Sequence, residues 1–148
     1  METQTDSINS VKALNSILQS EASAVETYRP ALQKIEDPSN RRALEECQRL
    51  HIRHVATLRS RIEHLGGVPA SGTGAWGTYA KLAQGTAKWF GDRSAVAALE
   101  EGEDHGLKSY RAHLGELDPA SRKIVEVELL PEQELTHSQM STLKQLLH

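Results

Sequence analysis

The sequence predicts an all-α fold, four helices packed as a bundle in which two helical hairpins are joined by one long crossover. Three observations predict it. Leu, Ala, Glu, Gln, Lys and Arg dominate the long segments, whereas aromatics make up only 4% and β-branched alternation is scarce. Apolar residues recur three, four or seven positions apart along four segments, the spacing that lines one face of a helix. Between those segments stand proline- and glycine-bearing breaks, Asp37-Pro38-Ser39-Asn40, Gly66-Gly67-Val68-Pro69 and Asp118-Pro119. At 148 residues the chain reads as one domain, 1–148, long enough to bury a core without disulfides.

The first helix is expected from Asp6-Ser7, good cap residues, to about Ile35, with Val11, Leu14, Leu18, Val25, Leu32 and Ile35 on its apolar stripe. Pro30 lies within it and is expected to kink its last turns. Ser39 or Asn40 can cap a second helix from about Arg41 to Leu65, whose stripe reads Leu44, Cys47, Val55, Leu58, Ile62 and Leu65. Gly66-Gly67 with Pro69 just beyond is a strong stop. Residues 66–93 form the crossover; 75–90 is a candidate short helix, weakened by two internal glycines. A third helix begins near Asp92 or Ser94 and turns Val96, Leu99, Leu107, Leu114 and Leu117 inward. The fourth begins at Pro119, a favoured first-turn proline, and should be kinked by Pro131. The hairpins are therefore 6–65 and 94–148.

Charge and cysteine content narrow the function classes. With 17 basic and 20 acidic residues interspersed, the net charge of −3 offers no nucleic-acid surface. One cysteine, Cys47, removes any disulfide framework and any cysteine-based zinc or iron–sulfur site, and is best read as a small core residue. The first residues, Met1 to Asp6, are polar and acidic, unlike a secretory signal. No apolar run approaches the roughly 20 residues that cross a bilayer. A reduced, cytoplasmic protein without membrane contact is the expectation.

The two hairpins resemble each other. Glu21 is followed by Tyr28-Arg29 and Leu32, and Glu103 by Tyr110-Arg111 and Leu114, all 82 positions apart. His51-x-x-His54 aligns with Glu134-x-x-His137 at 83. A duplicated helical hairpin accounts for both. Residues seven apart differ by only ~20° around a helix, so Glu21 and Tyr28 share one face, and that face is the apolar one. Glu103 likewise sits between Leu99 and Leu107, His51 and His54 interrupt the second stripe, and Glu134 and His137 interrupt Leu130 to Met140. A lone core histidine is ordinarily just hydrogen-bonded, and a lone glutamate on a stripe ordinarily keeps its head in water. Six such residues converging at mid-bundle are different. Buried, unpaired carboxylates cost several kcal/mol each and need protons, cations or metal. Glu-x-x-His aims two donors at one ion. Metal coordination by Glu21, His51, His54, Glu103, Glu134 and His137, or a metal-free polar network, are the two readings.

With these residues the sequence resembles a ferritin-like protein over essentially its whole length. Glu21-x6-Tyr28 and Gly102-Glu103-x6-Tyr110 are similar to helices one and three of the rubrerythrin branch. His54-x-x-x-Leu58 running into Leu65-Gly66-Gly67-x-Pro69 is similar to the end of its second helix. Within the superfamily, the likeness is greatest to small bacterial four-helix-bundle proteins grouped by a domain of unknown function. The resemblance implies a ferritin-like four-helix bundle with a crossover and a metal site that is di-iron or, because His51 stands at a bridging-glutamate position, mononuclear, with zinc as the alternative metal. It implies Glu21, His54, Glu103, Glu134 and His137 at ligand positions. A rubrerythrin proper would need a four-cysteine iron module, which Cys47 alone cannot form.

Two functions compete. One is a redox metalloprotein with iron reacting with oxygen or peroxide, in a stress role, with Tyr28 and Tyr110 behind the ligands; whether it is an enzyme is left open, and no substrate motif is visible. The other is a metal-free bundle with a vestigial polar layer and a binding or structural role, in which Arg29 and Arg111 either pair with the carboxylates or sit in solvent. Storage in a ferritin-type cage is a weaker third, since such cages are expected to use a longer chain with an extra helix. Trp76, Tyr79, Leu82, Trp89 and Phe90 concentrate aromatic area in residues 75–90, which either covers the bundle flank or forms a homodimer surface. A homodimer is the expectation. His64, His105, His113 and His148 read as surface residues.

Overall fold

The computed structural model describes residues 4–72 and 91–147, so the aromatic crossover lies outside the described residues. Among the described residues there is no strand. The helices are α1 (Gln4–Lys34), α2 (Pro38–His64) and α3 (Gly91–His113), followed by a 3-10 turn (Leu114–Glu116) and α4 (119–146). No described helix is long and apolar enough to cross a membrane. α1 packs on α2 and on α3, and α3 on α4; the seam between α2 and α4 is the thinnest of the four.

The boundaries follow from caps. Asp37, rather than the expected Ser39 or Asn40, caps α2: its carboxylate accepts from the Asn40 N–H at 2.9 Å, and Pro38 fills the first helical position, where an N–H is not needed. α2 stops where Gly66 adopts a φ of 80°, letting the Gly66 and Gly67 N–H groups bond back to Glu63 and Ile62. α1 continues through Pro30 to Lys34.

Pro131 does not break α4. The five residues Val125–Leu129 form a π turn, in which the Leu130 N–H reaches the Val125 carbonyl, and the α-helix resumes at Leu130. One extra residue is thereby inserted just before Pro131, which lacks an N–H to donate. The insertion is visible in the buried positions: Val125 lies 81 after Leu44, but Leu129 lies 82 after Cys47 and Met140 82 after Leu58.

The apolar core falls into two clusters. One gathers Leu14, Ile17, Leu18, Leu58, Ile62, Tyr110, Val125 and Leu129; the other gathers Tyr28, Ala31, Ile35, Leu44, Cys47, Val96, Leu99 and Met140. Each large aliphatic side chain so buried contributes about 1.5–3 kcal/mol. Polar clasps hold the ends. At one, Asp92 accepts from the backbone N–H groups of Glu36 and Asp37 and from the Asn40 amide. At the other, buried Asp118 caps α4 at Ser121 while accepting from Ser10 of α1 and Arg61 of α2.

Candidate metal centre

Between the two apolar clusters lies a layer of polar side chains at mid-helix. Glu21, His51, His54 and Glu103 are 0–1% exposed. His51 Nδ1 lies 3.1 Å from Glu21 Oε2 and its Nε2 lies 2.7 Å from Glu103 Oε2. His54 Nδ1 lies 2.9 Å from the same Glu21 oxygen, and its Nε2 2.8 Å from Glu132 Oε1. Glu132 is half-buried and its other oxygen pairs with Arg53 at 3.0 Å. Glu21, His51 and His54 each bring one donor atom into a group no more than 4.8 Å across, a set that could hold one metal ion.

The expected partners from α4 are elsewhere. Glu134 is exposed, and His137 is half-buried at the α3–α4 surface, 3.9 Å from Asp104. The structure does not bring either to the cluster. The heptad-like run of buried positions in α4 is Leu129, Gln133, Thr136 and Met140, so the inward positions are one residue before those expected. Gln133 and Thr136 both donate to Glu103 Oε1, at 2.8 Å each, and the Gln133 amide also reaches the Glu103 carbonyl. Room for that amide comes from Gly106, where a Cβ would stand 2.5 Å from Gln133 Nε2.

Sequence reasoning missed Glu132, Gln133 and Thr136. The signal was present for the last two: keeping the 82-residue offset of the Glu-Tyr pairs places Gln133 on His51 and Thr136 on His54. Glu132, off the core stripe, carried none.

The tyrosines cross between hairpins. Tyr28 donates to Glu103 Oε2, and its ring lies 5.6 Å from that of His51. Its counterpart Tyr110 is equally buried and faces Glu21, but its hydroxyl has no hydrogen bond of acceptable geometry; Gln133 Oε1 is likewise without a partner. Arg29 pairs with Glu26 on the surface and Arg111 is exposed, so neither serves the layer.

Electrostatics follow from this packing. Burial alone would raise the Glu21 carboxyl, but the adjoining His51 and His54 rings hold it at about 2. Burial would lower His51, yet the Glu103 and Glu21 carboxylates on its two nitrogens push it well above its ordinary value. His54 is raised against its own burial by hydrogen bonding to Glu21 and Glu132. Burial and the Glu103 charge push Tyr28 well up, keeping it a donor. Cys47, whose thiol donates to Gln139 at 3.1 Å, is pushed up to about 12 by burial and the Glu103 charge.

Over residues 9–116 the sequence matches a family described as a domain of unknown function, DUF2383. The chain belongs to this family. Among curated proteins none matches it. Among solved structures, this DUF2383 protein is similar to one described as belonging to the ferritin like, diiron-carboxylate proteins of Bacillus anthracis str. Ames. The TM-score is 0.74 at 16% identity, over 96% of this chain and 99% of that one. The DUF2383 chain therefore has a ferritin-like fold, as the sequence predicts.

Proposed function

We propose that the centre of the bundle binds one divalent metal ion, iron or zinc, through Glu21, His51 and His54. The observation that carries this reading is the way both imidazoles are used. Each turns Nδ1 towards Glu21 and Nε2 towards a second carboxylate, Glu103 or Glu132. A carboxylate behind a metal-bound histidine fixes the ring's tautomer and orientation and raises its basicity. Two imidazoles and one carboxylate suit non-haem iron(II), and zinc accepts the same donors. Iron there would supply redox chemistry with oxygen or peroxide, the stress-linked role; zinc would supply none. In either case Glu21 is held ionised, and Glu103 and Glu132 hold the rings in place.

The donors do not fit a carboxylate-bridged pair of metals. His51 stands at a bridging-glutamate position, and its counterpart 82 residues on is the amide Gln133. Glu103 has both oxygens engaged, Oε1 by Gln133 and Thr136 and Oε2 by Tyr28 and His51, which leaves no lone pair for an ion. The unpartnered Tyr110 hydroxyl, by contrast, faces the Glu21 half. One half of the duplicated hairpin keeps metal donors while the other is closed by hydrogen bonds.

One observation favours a metal-free reading: the same short contacts are those of two doubly protonated rings between three carboxylates, with Arg53 balancing Glu132. Elemental analysis of protein purified without added metal, followed by titration of chelator-treated protein with Fe²⁺ or Zn²⁺, separates the two. The metal reading expects about one ion per chain, lost in Glu21→Ala/His54→Ala and retained in Glu134→Ala/His137→Ala. Saturation at about 100 times the dissociation constant should stabilise by about 2.7 kcal/mol, raising Tm by roughly 5–10 °C. No ion and no shift would leave the metal-free bundle; two ions per chain would restore a dinuclear centre.

A further inference from the structure

We infer that the cation reaches its site along the α2–α4 seam, taken up first by Glu132, with Arg53 as the latch that holds Glu132 in place. This rests on the single-ion reading above. Three observations carry it. Of the carboxylates in the network, Glu21 and Glu103 are 2% and 0% exposed at the side chain, whereas Glu132 is 27% exposed. Among the described residues it is the one member of the chain of contacts that touches both solvent and a ligand. The α2–α4 seam it occupies is the least closely packed of the four helix seams, while Tyr28, Tyr110, Gln133 and Thr136 close the layer from within.

The division of the Glu132 carboxylate supplies the third. Oε1 faces inward on His54 Nε2 at 2.8 Å, and Oε2 faces outward on Arg53 at 3.0 Å. A hydrated divalent cation exchanges water for carboxylate oxygen readily, and Glu132 is the outermost carboxylate of the network, joined to Glu21 Oε2 through the two nitrogens of the His54 ring. Arg53, 58% exposed, sets a positive charge at that mouth and competes with the cation for the same oxygen. Its guanidinium is on a long exposed side chain and can leave without disturbing the core. The pair thus slows exchange in both directions while leaving the buried donors unchanged.

The test is stopped-flow uptake of Co²⁺ by the chelator-treated full chain, followed through the cobalt absorption bands, with affinity measured at equilibrium. Arg53→Ala should take up Co²⁺ roughly 3–10-fold faster at low salt, with the difference shrinking as salt screens the mouth. Glu132→Gln should take it up several-fold more slowly, and its affinity should fall by no more than about tenfold, since the amide oxygen can still face His54. Glu134→Gln removes the same charge two residues away on the exposed face and should change neither. Equal rates in all four proteins, or an equal slowing by Glu134→Gln, would overturn the route while leaving the site intact. Failure of the wild-type chain to bind Co²⁺, or undiminished amplitude in Glu21→Ala/His54→Ala, would overturn the site itself and the route with it.

Discussion

Replacing Asp118 tests how the ends of this bundle are held. Asp118 is 3% exposed, and its carboxylate serves three elements at once: it caps α4 at the Ser121 N–H, accepts from Ser10 Oγ of α1, and pairs with Arg61 Nη2 of α2 at 2.9 Å. The cap is worth about 1 kcal/mol, the charge-assisted bond to Arg61 about 1.5–3, and the Ser10 bond about 1. Asp118→Ala should therefore lose roughly 3–5 kcal/mol, a sum consistent with breaking a buried charge pair. Asp118→Asn keeps the volume and one acceptor oxygen and should lose about 1–3 kcal/mol, essentially the charge-assisted part. The pH dependence sharpens the test. Although burial raises it, the Ser10, Ser121 and Arg61 hydrogen bonds hold the Asp118 carboxyl well below the usual range. A depressed folded-state value contributes stability that is complete above the unfolded value near 4 and is lost as pH falls towards the folded one. Urea unfolding of wild-type and Asp118→Asn proteins between pH 7 and pH 2.5 should show a gap that is constant above about pH 5 and narrows below 4. A gap that stays constant down to pH 2.5, or an Asp118→Ala loss below 1 kcal/mol, would refute the reasoning.

Two further outcomes bear on the polar layer. Gly106→Ala should destabilise by about 1–2 kcal/mol despite the better helix propensity of alanine, because its Cβ displaces the Gln133 amide from both Glu103 acceptors. Combining it with Gln133→Ala should recover most of that loss in a double-mutant cycle, and strict additivity would count against the clash. Cys47, pushed up to about 12 and buried, should be thiolate in only about one molecule in ten thousand at pH 8. Its reaction with a thiol reagent should then follow the unfolding rate rather than the reagent concentration, and fast labelling of native protein would show the core to be open there.

The fold was legible because helix propensity, stripe spacing and the breaks all agreed, and the departures are local. Asp37 took the cap from Ser39 and Asn40 because Pro38 fits the first turn only if the residue before it is extended, which is the cap conformation. The first half of the site, Glu21 with His51 and His54, was legible as charge in a core stripe. The second half was misread through residue identity. Glu134-x-x-His137 looks like a ligand pair and aligns with His51-x-x-His54 at 83 residues, but burial follows geometry, and the spacing back from Met140 selects Thr136, Gln133 and Leu129. A glutamine and a threonine carry no ligand signature, so nothing in their chemistry advertised the inward positions. The π turn shifts the offset within α4 from 81 before it to 82 after it, and Gln133 and Thr136, lying beyond it, keep the 82 of the Glu-Tyr pairs.

That register gives the two halves of the layer different work. With three carboxylates and three imidazoles converging, as the sequence predicts, charge would dominate the centre and call for one metal ion or two. With Gln133 and Thr136 inward, the half around Glu103 saturates itself with neutral donors and one shared ring, at a cost in desolvation that hydrogen bonds offset. The charge left to be satisfied is that of Glu21, contacted by two rings whose outer nitrogens are already committed to Glu103 and Glu132. A proton on each ring or one cation among the three donors can meet that demand, and the two are mutually exclusive because they occupy the same nitrogens. On the proposed metal reading, uptake displaces those protons, and the release should be measurable in weakly buffered solution as close to one proton for each ring that becomes a ligand. Two protons per ion near pH 6 would match both His51 and His54 as ligands; none would place the ion outside this layer.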